Sequence, residues 1–302
     1  MKDKYPMLLV ILGAMLWGTT GTAQSFAPAA ANPIAIGAVR LAVGGAALCL
    51  MASWQKKWTR SNWPIKETFL ATLGMACYQP LFFMAVSLTG IAIGTIMTLS
   101  SAPIIAGLLE WSFSKKRPAA SWWAATGLSI AGCFLLFSNH GSVTIDPVGA
   151  LLAMGAGASF TVYTLVSKRI LKQQPPEATA AVIFGFSALL LAPALFILDI
   201  SWIATPNGLA VSLHLGLLAT AVAYLFFNKG LISVPSSTAV SLSLAEPLTA
   251  ALLGVFLVGE SMASLSWIGI ALLLCGIIIL TIFPGERKRP SSVKHGLSIK
   301  AD

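Results

Sequence analysis

The chain has 302 residues, 57% of them hydrophobic and 10% charged, with a net charge of +9. A soluble domain carries about 25% charged residues, and a globule of this length could not hide so much apolar surface, so the composition excludes a water-soluble protein. The basic residues cluster between long apolar runs, which also removes nucleic acid as an expected partner.

A membrane-spanning helix needs about 20 apolar residues, so charge-free stretches locate the predicted elements. Residues 5–55 contain one charge, Arg40, and are interrupted at Pro28 and at Asn32-Pro33, where proline disfavours helix continuation. Two spans result, 6–27 and 33–53. The 42 residues from Thr68 to Leu109 are uncharged and too long for one crossing; Leu88-Thr89-Gly90 divides them into 68–88 and 91–112. The uncharged stretches bounded by Arg117, Asp146, Lys168, Glu177 and Asp199 predict spans 120–138, 147–167 and 178–198. Asp199 to Lys229 predicts 208–228, Lys229 to Glu260 predicts 235–258 around the lone charge Glu246, and the run after Glu260 predicts 264–284. These runs are continuous, unlike the alternating strands of a barrel, and a helix satisfies its own backbone polar groups in lipid. The expected fold is all-α and integral to the membrane, with ten transmembrane helices.

Lys2, Lys4 and the first apolar run mimic a signal peptide, but the run is longer than a signal core and its loss would leave nine helices, so it is expected to be retained. With the N-terminus inside, 18 of the 19 basic residues lie in inner segments and the remaining one, Arg40, lies within a span. The positive-inside rule then puts both termini in the cytoplasm, with a multi-pass protein in the cell membrane. Trp54, Trp63, Trp111, Trp122 and Trp202 near span ends suggest interfacial belts. Cys49, Cys77, Cys133 and Cys275 all fall in spans and read as packing residues, without a disulfide or zinc framework. Neither a His-Glu-x-x-His pair nor a phosphate-binding loop is present, which argues against an integral protease and against ATP-driven transport by this chain; no cofactor is expected.

A shift of 144 residues places Pro103 on Pro247, Leu108 on Leu252, Trp123 on Trp267 and Gly132 on Gly276, and a shift of 143 places Trp17 on Phe160 and Pro33 on Pro176. The expected organisation is a five-helix repeat over 1–143, a second over 144–286, and a basic, disordered cytoplasmic tail over 287–302 that is drawn to anionic headgroups. Five is odd, so successive repeats enter the bilayer from opposite sides and the two halves are inverted.

Leu16-Trp17-Gly18 in the first helix, Arg40 in the second, Glu246-Pro247 through Gly259-Glu260, and Trp267 through Gly276 together resemble the EamA-type permeases of the drug/metabolite transporter superfamily, from about residue 6 to residue 284. The first half departs from that pattern, with Ala102 before Pro103 and Lys116 where many members carry an acid. The resemblance implies a secondary transporter, often an exporter, of amino acids or other small metabolites, with a cavity between the repeats, and no enzymatic activity. The alternative is efflux of lipophilic cations; a membrane enzyme would need clustered ionisable groups near one interface, and a scaffold or receptor would need longer loops.

Two charges stand within spans. Arg40 lies about 10 Å below the outer surface at 1.5 Å per residue, where an arginine costs about 2.5–3.5 kcal/mol on insertion scales; it either binds a substrate carboxylate or clamps carbonyls of neighbouring helices. Glu246 lies near mid-depth beside Pro247; it either exchanges a coupling proton or binds a cationic group, or else it is a protonated acid bonded to carbonyls freed by the kink. Tyr78, Gln79, Tyr163 and Tyr224 are mid-depth polar groups that could equally line a substrate path or join helices, and Trp17 joins them as a candidate binding residue. Glu110 is expected to pair with Lys115 or Lys116, and Glu260 to cap its helix or fix its loop. The partners expected are a small-molecule substrate, the lipid bilayer and a coupling proton.

Overall fold

The computed structural model describes residues 4–28, 31–59, 62–115, 117–137, 146–259 and 262–283. Ten helices run through them: α1 Tyr5–Ser25, α2 Pro33–Trp54, α3 Ile65–Thr89, α4 Ile91–Ser114, α5 Ala120–Phe137, α6 Pro147–Ile170 and α7 Pro176–Ile197. A 3-10 turn, Ser201–Ala204, precedes α8 Pro206–Leu231, α9 Ser236–Leu257 and α10 Ser264–Ile282. Nine of these are long and apolar enough to cross a membrane; α5, at 18 residues the shortest, stops where the described residues stop. The tail after Phe283 lies outside the described residues.

Three helices start by one device. Asn32, Asp146 and Thr205 each accept a backbone N–H of the first turn, from Ile34, Gly149 and Gly208 at 2.8, 2.8 and 3.0 Å, and each is followed by proline. The cap satisfies one orphan donor, and the proline removes another while presetting its own φ. Charge-free runs underestimate α3, whose first turn contains Lys66 and Glu67; helices continue past the hydrocarbon edge wherever water can solvate their side chains.

The helices pack in exchanged pairs. α1 lies on α8 and α9, as α6 lies on α3 and α4, while α2 meets α7 and α5 meets α10. Swapping the halves maps this set onto itself, as an inverted repeat requires. Glycine permits the closest approaches: a Cβ on Gly132 of α5 would lie 2.6 Å from the Gly269 carbonyl of α10, and one on Gly269 would lie 2.6 Å from the Gly132 carbonyl.

Two belt tryptophans are corrected by the packing. Trp122 and Trp202 are each only 3% exposed, because the Trp122 ring fills the space a side chain at Gly107 would occupy and Trp202 sits in the apolar cluster under the α7–α8 connection. Trp54 and Trp111 are exposed, at 85% and 37%.

Neither α8 nor α9 is regular. His214–Val222 of α8 and Gly254–Val258 of α9 are π-helical, and α9 is broken by a turn at Ser243-Leu244. Pro80, Pro103 and Pro193, by contrast, sit inside continuous helices.

Gly90 alone separates α3 from α4 and has φ 84° and ψ 160°, a region essentially closed to residues with a Cβ. Since nothing lies within 4 Å of a Cβ placed there, Gly90→Ala tests the backbone alone. Thermal unfolding in detergent is expected to show a loss of about 1–3 kcal/mol; an unchanged transition would mean that the hairpin does not depend on this turn.

A cavity between the two repeats

Seven helices converge on one cavity. Its walls repeat the internal symmetry: Trp17 of α1 faces it with Phe160 of α6, Leu99 of α4 with Ser243 of α9, and Ala102 of α4 with Glu246 of α9, pairs related by shifts of 143 and 144 residues. Arg40 of α2, Tyr78 of α3 and Tyr224 of α8 complete the chemistry. The cavity therefore lies on the axis relating the halves, and the acid at 246 has alanine as its counterpart. One mid-depth carboxylate thus arises from a symmetric frame.

Arg40 is partly committed. Its Nε donates to Thr220 Oγ1 at 2.8 Å and its Nη2 to the Ala219 carbonyl at 2.9 Å, while Thr220 Oγ1 donates onward to the Leu215 carbonyl at 2.8 Å. Both partners belong to the π-helical stretch of α8, whose widened turn leaves backbone acceptors for a neighbour. The remaining guanidinium N–H groups have no protein partner among the described residues, so a clamp and a cavity-facing cation coexist in one side chain.

Glu246 is held differently. Pro247 has no N–H, and the Ser243 carbonyl it leaves accepts the Glu246 N–H at 2.9 Å; the Ser243 hydroxyl donates to the Val240 carbonyl at 2.7 Å. The break is satisfied by backbone and serine, and the Glu246 carboxyl has no hydrogen-bond partner among the described residues. Arg40 and Glu246 share the cavity without an ion pair.

Aromatic rings fill the remaining wall. Trp17 packs 5.6 Å from Phe160 and 4.7 Å from Tyr224, and Tyr78 lies 6.0 Å from Phe160. Two buried donors on the wall, Trp17 Nε1 and Thr98 Oγ1, have no partner among the described residues. The space open to the centre of a water molecule is about 30 Å³, enough for one or two waters; anything of amino-acid size requires the walls to move.

Gln79 and Tyr163 are not on this wall. Tyr163 is fully buried and its hydroxyl donates to Asn228 Oδ1 at 2.9 Å, joining α6 to α8. Gln79 is buried toward α2, where its Oε1 would lie 3.3 Å from a Cβ on Gly37. Tyr224 combines both roles, since its hydroxyl donates to Met75 Sδ at 3.8 Å while its ring lines the cavity. Among the described residues Glu110 makes no ion pair with Lys115; its Oε2 accepts the Ser237 N–H at 2.7 Å, because the start of α9 presents an unsatisfied donor beside it. Lys116 and Glu260 lie outside the described residues. Thr98, Leu99, Gly157 and Ser243 escaped the reading of the chain, since small and apolar residues look alike whether they face lipid or a cavity.

Gly18 controls how close α1 comes to the Glu246 segment. A Cβ there would lie 2.6 Å from the Glu246 carbonyl and 3.1 Å from the Ala250 nitrogen, whereas one on Gly21, a turn later on the same helix, would meet nothing within 4 Å. Gly18→Ala is expected to lose about 1–3 kcal/mol of stability and Gly21→Ala much less, by parallel thermal unfolding in detergent. Equal effects would show that the α1–α9 contact is slack.

Known proteins share this arrangement. The profile of the EamA-like transporter family matches residues 4–138 and again 147–282. The chain is 55% identical over 288 residues to the uncharacterized transporter YwfM of Bacillus subtilis strain 168, covering 95% of this chain and 97% of that one. It is 31% identical over 290 residues to the threonine/homoserine exporter RhtA of Salmonella typhimurium strain LT2, and 29% identical to that of Escherichia coli K12, covering 90% of this chain and 88% of each relative. A solved crystal structure superposes with a TM-score of 0.81 at 21% identity, covering 92% of this chain and 96% of its own, which shows the shared fold. Two successive matches to one family profile, over a bundle of two inverted repeats, make this chain a multi-pass membrane protein of the EamA-like transporter family.

Proposed function

We propose that the protein exports amino acids or related small metabolites across the cell membrane by alternating access, with both termini in the cytoplasm. The observation that carries this reading is one cavity presenting an arginine and a carboxylate that are not paired with each other, the arginine keeping N–H groups and the carboxylate its oxygens without a partner among the described residues. Such a site matches a zwitterion: guanidinium N–H groups suit a carboxylate, and Glu246 suits an ammonium group. The exporters of threonine and homoserine among its relatives carry solutes of this class. Glu246 is also the proposed proton carrier, exchanging its proton as the cavity opens to either side.

The aromatic wall supports a second reading, efflux of lipophilic cations, since Trp17, Tyr78, Phe160 and Tyr224 would pack around such a ligand. Flux in proteoliposomes separates the two. With a panel of amino acids, small amines and cationic dyes, Arg40→Ala is expected to impair carboxylate-bearing solutes more than cations. Equal loss for both classes would reduce Arg40 to its clamp on α8, and transport of dyes alone would select the second reading.

Glu246→Gln is expected to abolish accumulation driven by a pH gradient while leaving downhill exchange detectable, because the cavity remains and the titrating group is gone. Gradient-driven accumulation at the parent level in that variant would remove Glu246 as the proton carrier. The orientation is checked separately with single-cysteine variants: Lys172→Cys should label from the cytoplasmic side and Met262→Cys from outside, and the reverse pattern would invert the topology.

A further inference from the structure

At the end of the bundle that carries the lysine and arginine clusters, three helices hold the tip connecting α8 to α9. Lys168, at the end of α6, donates through Nζ to the Leu231 carbonyl at 2.7 Å and also to the Val234 carbonyl. Glu177, in the first turn of α7 and 8% exposed, pairs through Oε1 with Lys229 Nζ of α8 at 3.1 Å. Glu110, near the end of α4, accepts the Ser237 N–H that opens α9. Each bond has a charged partner, and each joins the last turn of α8, the first turn of α9 or the connection between them to a different helix.

The opposite end is built otherwise. Its described carboxylates, Asp146 and Asp199, accept N–H groups of their own segments, from Gly149 and Ser201. The repeat relation makes the contrast sharper. Glu110 maps onto Gly254 and Lys229 onto Ala85 by the shift of 144, and Lys168 maps onto Ser25 and Glu177 onto Ile34 by the shift of 143. No charged member of the latch has a charged counterpart at the other end.

Two inverted repeats of identical sequence would give states open to one side and open to the other that are related by the two-fold axis and have equal free energy. Bonds present at one end only lift that equality. We propose that Lys168, Glu110 and the Glu177–Lys229 pair form a one-sided latch on the α8–α9 tip. The latch favours the state in which the cavity is closed toward the basic end, and it must break for the cavity to open there.

This inference needs no assumption about the substrate, so it is tested by accessibility rather than by transport, and it can fail while the proposed export activity stands. The native cysteines are replaced and Ser243→Cys is introduced on the cavity wall. A membrane-impermeant thiol reagent is then added from either side of oriented vesicles. Combining Lys168→Met with Glu110→Met is expected to speed labelling from the basic side by roughly tenfold and to slow it from the other. Glu177→Lys and Lys229→Glu singly should each speed it, and together should restore the parent rate. The swapped pair keeps the proposal testable should the first combination fold poorly. Unchanged rates, or equal acceleration from both sides, would overturn the latch, as would a swapped pair that labels no more slowly than its single variants.

Discussion

An ionisable group inside a bilayer has to be met by an opposite charge, by hydrogen bonds or by water, and this protein carries two such groups, Arg40 and Glu246, that do not meet each other. Arg40 is anchored to α8, whose π-helical widening turns backbone carbonyls toward it. Glu246 stands just after a break in α9 whose backbone is already satisfied without it. The rest of the centre follows from keeping these groups apart around a shared space: small residues let α1 close onto α9 at Gly18, and rings seal the wall at Trp17 and Phe160. In a medium where an unpaired charge costs several kcal/mol, leaving both facing the cavity is sensible if a ligand or water completes them there.

Inverted repeats supply a frame with two equivalent ends, and function depends on where the equivalence is broken. At the centre it is broken by Glu246 opposite Ala102, which leaves one acid on the axis. Between the half-helices it is broken by α9, interrupted where its counterpart α4 is continuous. A symmetric pair of contacts survives around that difference. Thr161 of α6 donates to the Ala102 carbonyl at 3.0 Å, and the position 143 residues earlier, Gly18, lies against the Glu246 carbonyl. A threonine ties α6 to a regular helix, while a glycine allows backbone contact with a broken one.

Much of this was legible in the chain because lipid imposes simple rules. Uncharged runs of about 20 residues had to be helices, proline and glycine had to mark their ends, and Arg40 and Glu246 stood out as lone charges. What stayed hidden depended on direction around a helix axis. Thr98 and Ser243 turn toward the cavity, Gln79 and Tyr163 turn away from it, and no composition rule separates those fates. Trp122 and Trp202 sit near helix ends yet are buried, because a tryptophan near an interface can pack inward as well as float in the headgroups. Lys168 read as one of the inner basic residues and Glu110 as the partner of Lys115 or Lys116 until the structure placed the α8–α9 tip against them.

Glu246 is proposed as the acid to which a carried solute binds in exchange for a proton. The most direct measurement is proton release on binding, followed with a pH indicator in weakly buffered detergent solution as a transported solute is titrated into the purified protein. Release is expected to saturate together with binding in the parent protein and to disappear in Glu246→Gln while binding is retained. Equal proton release from the parent and the variant would contradict it.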